Sequence, residues 1–236
     1  MNGVILIDKP AGITSFDVVY SLRKLTKVKK IGHAGTLDPF ATGLLIVCIS
    51  RNSTRHIDRF TQLEKTYTAK LRLGKKTDTA DIEGKILKVA RIPELSRNKI
   101  SDILKDFEGQ IEQVPPTFSA IKKDGKPLYK FARKGIEVKV ESRTVTIHSI
   151  KLKDYIPPDI IFCTKVSKGT YIRTLGEDIA QKLGTVGHLI ELRRDSIGPF
   201  IASEAIPIDE LTEDTIKHHI HPIDEMTERL SNERPA

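Results

Sequence analysis

The spacing of apolar residues changes several times along the chain, and each change marks an element. Residues 3–8 (GVILID) form an apolar run closed by Lys9, Pro10 and Gly12, which predicts an opening strand. Residues 13–27 shift to helical spacing. Val18, Leu22 and Leu25 fall on one face, and Thr14 or Ser15 can cap the start. A glycine-rich loop then leads into a second apolar run, LLIVCIS (44–50), read as a strand. KTYTAKLRLG (65–74) alternates strictly, as a half-buried strand does, and GKILKVA (84–90) is expected to partner it after the loop KKTDTADIEG. SRNKISDILKDF (96–107) predicts a capped helix that stops at Gly109.

The second half continues the mixture. RTVTIHSIKL (143–152) and DIIFCTKVS (159–167) predict strands. GTYIRTLGEDIAQKLG (169–184) predicts a turn and then a helix ending at Gly184, and GHLIELRRDSIGPF (187–200) predicts a further strand. From about Ile208 the pattern is weakly periodic, so helical turns and a frayed end are expected. Strands outnumber helices and do not alternate regularly with them. The expected fold is therefore α+β, with a central, mainly antiparallel mixed sheet flanked by helices, rather than a doubly wound sheet.

Composition changes this picture in two places. The net charge is +8, and it is uneven: residues 209–236 hold eight acidic and three basic residues, which leaves +13 on residues 1–208. A basic body fits a polyanionic partner, RNA or DNA first; solvated lysines on an ordinary surface fit it equally. Between Thr117 and Arg143, eight lysines and arginines face three acids, with Phe118, Tyr129 and Phe131 interleaved. This predicts a basic arm, with an Asp-Gly turn and a short helix that starts at Pro127 and has Gly135 just past its end, able to lie along a phosphate backbone. A surface hairpin with inward aromatics is the alternative. The apolar runs fall well short of the roughly 20 residues of a membrane span. No basic segment precedes the first one, so a cytoplasmic protein is expected. Cys48 and Cys163 lie in strand-like apolar runs and are expected to be reduced core residues.

Nucleotide and metal signatures are missing: there is no G-x-x-x-x-G-K-[ST], and DTADIEG places Ala80 and Ile82 where a calcium loop needs ligands. The residue that stands out is Asp38, in KIGHAGTLDPFATGLLIVC (30–48). Pro39 biases it toward extended backbone, Gly35 and Gly43 permit a tight loop open to close approach, and the following strand anchors it. A carboxylate held stiffly at a sheet edge can act chemically. It can also serve as the acceptor of its own turn.

Three separated blocks, GTLDPFATGLL (35–45), KTYTAKLRLGKKTDTADIEG (65–84) and KGTYIRTLGEDI (168–179), closely resemble motifs of the TruB family of tRNA pseudouridine synthases. DKPAGITSFDVV (8–19) and PPTFSAIKKDGKPLYKFARKGIEV (115–138) do so too, and the resemblance runs from about Gly3 to Phe200. It implies an enzyme that isomerises uridine 55 of the tRNA T-loop to pseudouridine without cofactor or metal, after flipping the nucleotide out. Matched to the family pattern, Asp38 is the nucleophile, Arg173 the arginine that keeps it ionised, and Tyr67 the tyrosine against the target uracil. Tyr171 and Leu192 match base-pocket residues. Lys9 and Pro10 match a loop supporting the tyrosine, His33 a histidine meeting the RNA, and Asp81 an acid in the same cleft. The implied domains are a catalytic domain over 1–208, with its arm at about 117–143, and a short acidic segment over 209–236. Many bacterial relatives carry a further PUA-like RNA-binding domain; the residues after Phe200 are too few for one. A monomer acting on the tRNA T-arm, with no membrane partner, is expected.

Overall fold

The computed structural model describes residues 1–116, 118–119, 122–123, 126–127, 131, 136, 138 and 140–231. In chain order the elements are β1 (Gly3–Lys9), α1 (Ser15–Thr26), β2 (Ile31–His33), β3 (Thr42–Ile49), α2 (Arg51–Thr54), α3 (Ile57–Thr61) and β4 (Lys65–Leu73). Then come β5 (Lys75–Thr77), β6 (Ile86–Val89), α4 (Arg97–Lys105), β7 (Gly109–Gln113), β8 (Lys122–Lys123), β9 (Lys126–Pro127), β10 (Arg143–Ile156) and β11 (Asp159–Val166). Last are α5 (Ile172–Lys182), β12 (Gly187–Ile197), β13 (Phe200–Ile201), β14 (Ile206–Pro207) and α6 (Ile223–Ser231). The class is α+β, as the pattern predicts. The chain divides into two compact units, residues 1–67 with 193–236, and residues 68–192.

In the first unit, β1 and β3 pair antiparallel from Gly3↔Ile49 to Lys9↔Gly43. Strand β14 adds to β1 in parallel, β2 pairs antiparallel with β3, and the Arg193–Arg194 end of β12 pairs in parallel with Thr42 and Gly43. Both faces of this sheet are covered, which is why β1 and β3 read as continuous apolar runs. Ile5, Ile7, Leu45, Val47 and Ile49 pack with Val18, Val19 and Leu22 of α1. Val4, Leu6, Leu44, Ile46 and Cys48 pack on the other side with Phe60 of α3 and Met226 of α6. Helix α1 begins with a reciprocal cap. Asp17 N–H donates to the Thr14 side chain, and Thr14 N–H donates to Asp17 Oδ2 at 2.8 Å. The acidic segment is not loose: Leu211 and Ile216 are buried in the α1 side of this core.

In the second unit the strand order is β12-β4-β11-β10-β7, with β10 antiparallel to both β11 and β7. Strand β4 alternates buried and half-buried residues along its whole length, as its sequence does. Helix α4 packs on β10 through Ile100 and Leu104, and α5 buries Ile172, Leu175, Ile179 and Ala180.

One pairing departs from expectation. The partner of β6 is not β4 but the short β5, with register Lys75↔Val89 and Lys76↔Lys88. Gly74, at φ +89°, turns the chain between β4 and β5 and starts a separate two-stranded ribbon. All four β6 residues are exposed, so its apolar content reflects β propensity rather than burial. Of the arm, β8 and β9 are described and pair antiparallel, which puts Pro127 in a strand. The expected Asp-Gly turn at 124–125 and the helix body over 128–135, apart from Phe131, lie outside the described residues, as does the expected frayed end at 232–236. Neither Cys48 nor Cys163 is joined in a disulfide; the first is buried and the second half-buried. Among the described residues no helix is long and apolar enough to cross a membrane.

Candidate active site

In the first unit the Asp38 loop is pinned from below by the β1–α1 connection. Lys9, fully buried, points its ammonium at backbone carbonyls, donating to Pro10 O at 2.8 Å, Ile13 O at 2.7 Å and Pro39 O at 3.2 Å. Gly12 N–H also donates to Pro39 O, at 2.9 Å. Ser15 holds the other flank: Leu37 N–H donates to Ser15 Oγ at 2.9 Å, and that hydroxyl donates to Leu37 O at 3.2 Å. Ala41 N–H closes the turn on Asp38 O. Leu37 and Phe40 are buried on either side, while Asp38 itself is half-buried. The loop backbone is thus fixed at the residues before and after the carboxylate. An ion with restricted freedom has less reorganisation to undergo when a charge develops beside it.

The loop's far end is held by β12. Arg194, almost fully buried, donates from Nε to Leu44 O at 2.7 Å and from Nη2 to Gly35 O at 3.2 Å. Gly43, at φ +101°, lies so close to this strand that a Cβ there would sit 2.3 Å from Arg194 O. Gly43 therefore admits a neighbouring backbone, not a ligand, which corrects the reading of that glycine. Arg193 makes a two-pronged ion pair with Asp8 at 3.0 and 2.7 Å. His33, on β2, is half-buried, and burial together with the nearby Arg194 guanidinium holds its pKa below the usual histidine value. Tyr67, the last residue of this unit's first segment, is buried on the inward face of β4.

The second unit holds the remaining candidates. Arg173 stands in the first turn of α5, where a positive charge opposes the helix dipole. Acceptors offset that: Nη1 donates to Thr79 O and Nη2 to Phe118 O, each at 2.8 Å, and Asp81 lies 3.5 Å from Nη1. Both side chains of this ion pair are about 4% exposed. Asp81 is aimed by its own loop, accepting from Thr79 Oγ1 at 2.6 Å and Glu83 N–H at 3.0 Å. Thr77 Oγ1 donates to its carbonyl. Tyr171 is clamped at the backbone by Gln113, which donates to its carbonyl and accepts from its N–H. The guanidinium of Arg143 lies over its ring at 4.7 Å from the centroid. Leu192 is buried on β12. On α5, burial and the adjacent Glu177 push the Asp178 carboxyl up to about 6, against the pull of Lys76.

So the structure groups Lys9, His33, Asp38 and Tyr67 in one unit, and Asp81, Tyr171, Arg173 and Leu192 in the other. Pattern reading missed Ser15, Gln113 and Arg194, which hold site residues in place. Only Arg194 left a trace, as a second arginine where strand alternation would bury one of the pair.

The family model for the N-terminal domain of the TruB family pseudouridylate synthases matches residues 23–172, and that for the tRNA pseudouridylate synthase B C-terminal domain matches 173–228. The chain is 47% identical over 218 residues to tRNA pseudouridine synthase B of Desulfotalea psychrophila, covering 90% of this chain and 89% of that one. It is 44% identical over 228 residues to the Clostridium acetobutylicum protein of the same name, with 97% and 78% covered. Among solved structures, a chain of a Cbf5-Nop10-Gar1 complex superposes with TM-score 0.75 at 30% identity, covering 96% of this chain and 62% of that one. A chain of an H/ACA ribonucleoprotein bound to a substrate RNA containing 2′-deoxyuridine gives 0.71 at 28%, with 96% and 61% covered. The chain therefore spans about three fifths of the length of those two solved chains.

Proposed function

Because the chain belongs to the TruB family of pseudouridylate synthases, and so is a tRNA pseudouridine synthase of the isomerase class, we propose that it converts uridine 55 of the tRNA T-loop to pseudouridine. It acts as a cytoplasmic monomer gripping the T-arm. The reaction conserves atoms and electrons. The N1–C1′ bond of the uridine breaks, the freed uracil turns, and its C5 joins C1′. The C5 proton leaves while N1 takes one up.

In this reading Asp38 is the nucleophile, which must be ionised to act. Arg173 supplies the cation that favours the ionised form, and its fork suits a carboxylate better than a lysine would. Tyr67 offers a flat apolar face to a base that has lost its stacking neighbours, and Tyr171 and Leu192 complete the base pocket. His33 meets the RNA beside the extruded nucleotide. Lys9 supports the reacting loop, and Asp81 aims Arg173.

The observation that carries the reading is the pinning of the Asp38 loop by Lys9, Gly12 and Ser15. A solvent-facing turn aspartate has no need of a buried ammonium beneath it. Asp38→Asn is expected to bind a T-arm transcript with near-native affinity and to release no tritium from C5-labelled uridine. Release near the native rate would overturn the assignment of Asp38. Release by the native protein only from RNAs other than tRNA would overturn the choice of substrate.

A further inference from the structure

Away from the Asp38 loop, the first unit has a second feature suited to an anion. A cavity of about 310 Å³ is lined by Lys30, Ile31, Gly32, Arg51, Thr54, Arg55 and Ile57. Its wall carries three cations and no carboxylate. Among the described residues no acid pairs with Lys30, Arg51 or Arg55, whereas Arg193 and Arg229 of this unit pair with acids and Arg194 is buried.

Local structure fixes the convergence. Strand β2 pairs with β3 at Ile31↔Ile49, and Ser50 N–H donates to Lys30 O at 2.8 Å, so Lys30 lies across from the residue that opens α2. Arg51 and Arg55 follow at a helical spacing of four, on the same side of the chain. Gly32 lets Ile57 pack tightly against the floor, since a Cβ there would meet Ile57 Cδ1 at 2.8 Å. Three exposed cations around one concavity repel each other weakly through screening solvent, and negative charge between them relieves that repulsion.

We propose that this cavity seats a backbone phosphate of the substrate RNA, a contact separate from the site that reacts. The proposal rests on the assignment of the protein as an RNA-modifying enzyme. Position favours an RNA phosphate over a free anion. Lys30 immediately precedes β2, which ends at His33 roughly 10 Å away at strand rise, so RNA that meets His33 passes the cavity. Two arginines also suit a phosphodiester, whose free oxygens accept forked donors.

The test is equilibrium binding of a labelled T-arm hairpin to the full protein over a KCl series. The double variant Arg51→Ala/Arg55→Ala, both positions being exposed, is compared with Lys88→Ala/Lys99→Ala, which removes equal exposed charge elsewhere. The cavity variant is expected to bind roughly tenfold more weakly, and its log–log salt slope to fall by about 1 to 2, with a smaller change in the control pair. An unchanged slope and affinity, or an equal loss in the control, overturns the proposal. Inorganic phosphate is the second probe. Phosphorus line broadening that vanishes in the cavity variant, with RNA affinity unaltered, assigns the cavity to a free anion and also overturns it. Tritium release by the native protein is read in parallel. Release with an unchanged slope sinks the phosphate seat alone, whereas no release from any RNA with a reduced slope sinks the enzymatic reading and leaves the seat standing.

Discussion

Single residues in this protein are displaced from their solution behaviour by what surrounds them. Asp178 is the plainest case, since burial and Glu177 disfavour its charge and raise its pKa to about 6. The sign follows. Between the ordinary aspartate value of 3.8 and about 6, the unfolded chain gives up its proton first, so stability falls as pH rises through that window and stays lowered above it. Asp178→Asn should therefore raise Tm at pH 7, by about 1 kcal/mol of stability once solvent screening is allowed for. The gain should shrink toward pH 4. Thermal melts of both proteins at the two pH values check this, and an equal gain at both would contradict it. The sequence marks Asp38, Arg173 and Tyr67 by motif. It does not mark Lys9 as a hub or Arg194 as a strap, because both act through backbone carbonyls that belong to distant residues. Only the folded chain reveals those partners.

At the level of elements, the Asp38 loop is a product of its neighbours. The same connection that caps α1 also fixes Leu37 and Pro39, so helix and loop share one foundation. The parallel pairing of Gly43 with Arg194 completes it. Gly43→Ala would place a methyl 2.3 Å from a backbone oxygen at a positive φ, and should destabilise the protein by about 2 to 3 kcal/mol. Chemical denaturation measures that loss, and a near-native midpoint would contradict it. Elements with a clear period were legible. The alternation of β4 and the spacing of α1 each report a buried face. The ribbon of β5 and β6 was not, because its exposed Ile86, Leu87 and Val89 mimic a buried strand and its pairing depends on the turn at Gly74. Within the arm, composition predicts affinity for phosphate but not a backbone path.

At the level of the whole molecule, the first unit is assembled from both ends of the sequence, with residues 68–192 inserted between them. Its two apolar clusters take Leu211, Ile216 and Met226 from the acidic segment. Composition made that segment look like an appendage, since its charge dominates and three apolar anchors are easily overlooked. A chain stopped after residue 208 loses all three, each worth about 2 kcal/mol or more of burial, against a typical margin of about 5–15 kcal/mol for a domain. It should melt far lower than the full chain or fail to stay soluble. An unchanged Tm would show that those contacts carry no weight.

The strap from Arg194 to the Asp38 loop has a temporal side. Leu44 and its donor are 150 residues apart, so a ribosome delivers the carboxylate long before it delivers the brace. A nascent chain can present Asp38, yet it lacks the finished cradle until residue 194 has been added. On the proposed role of Asp38, competence waits for that distant brace.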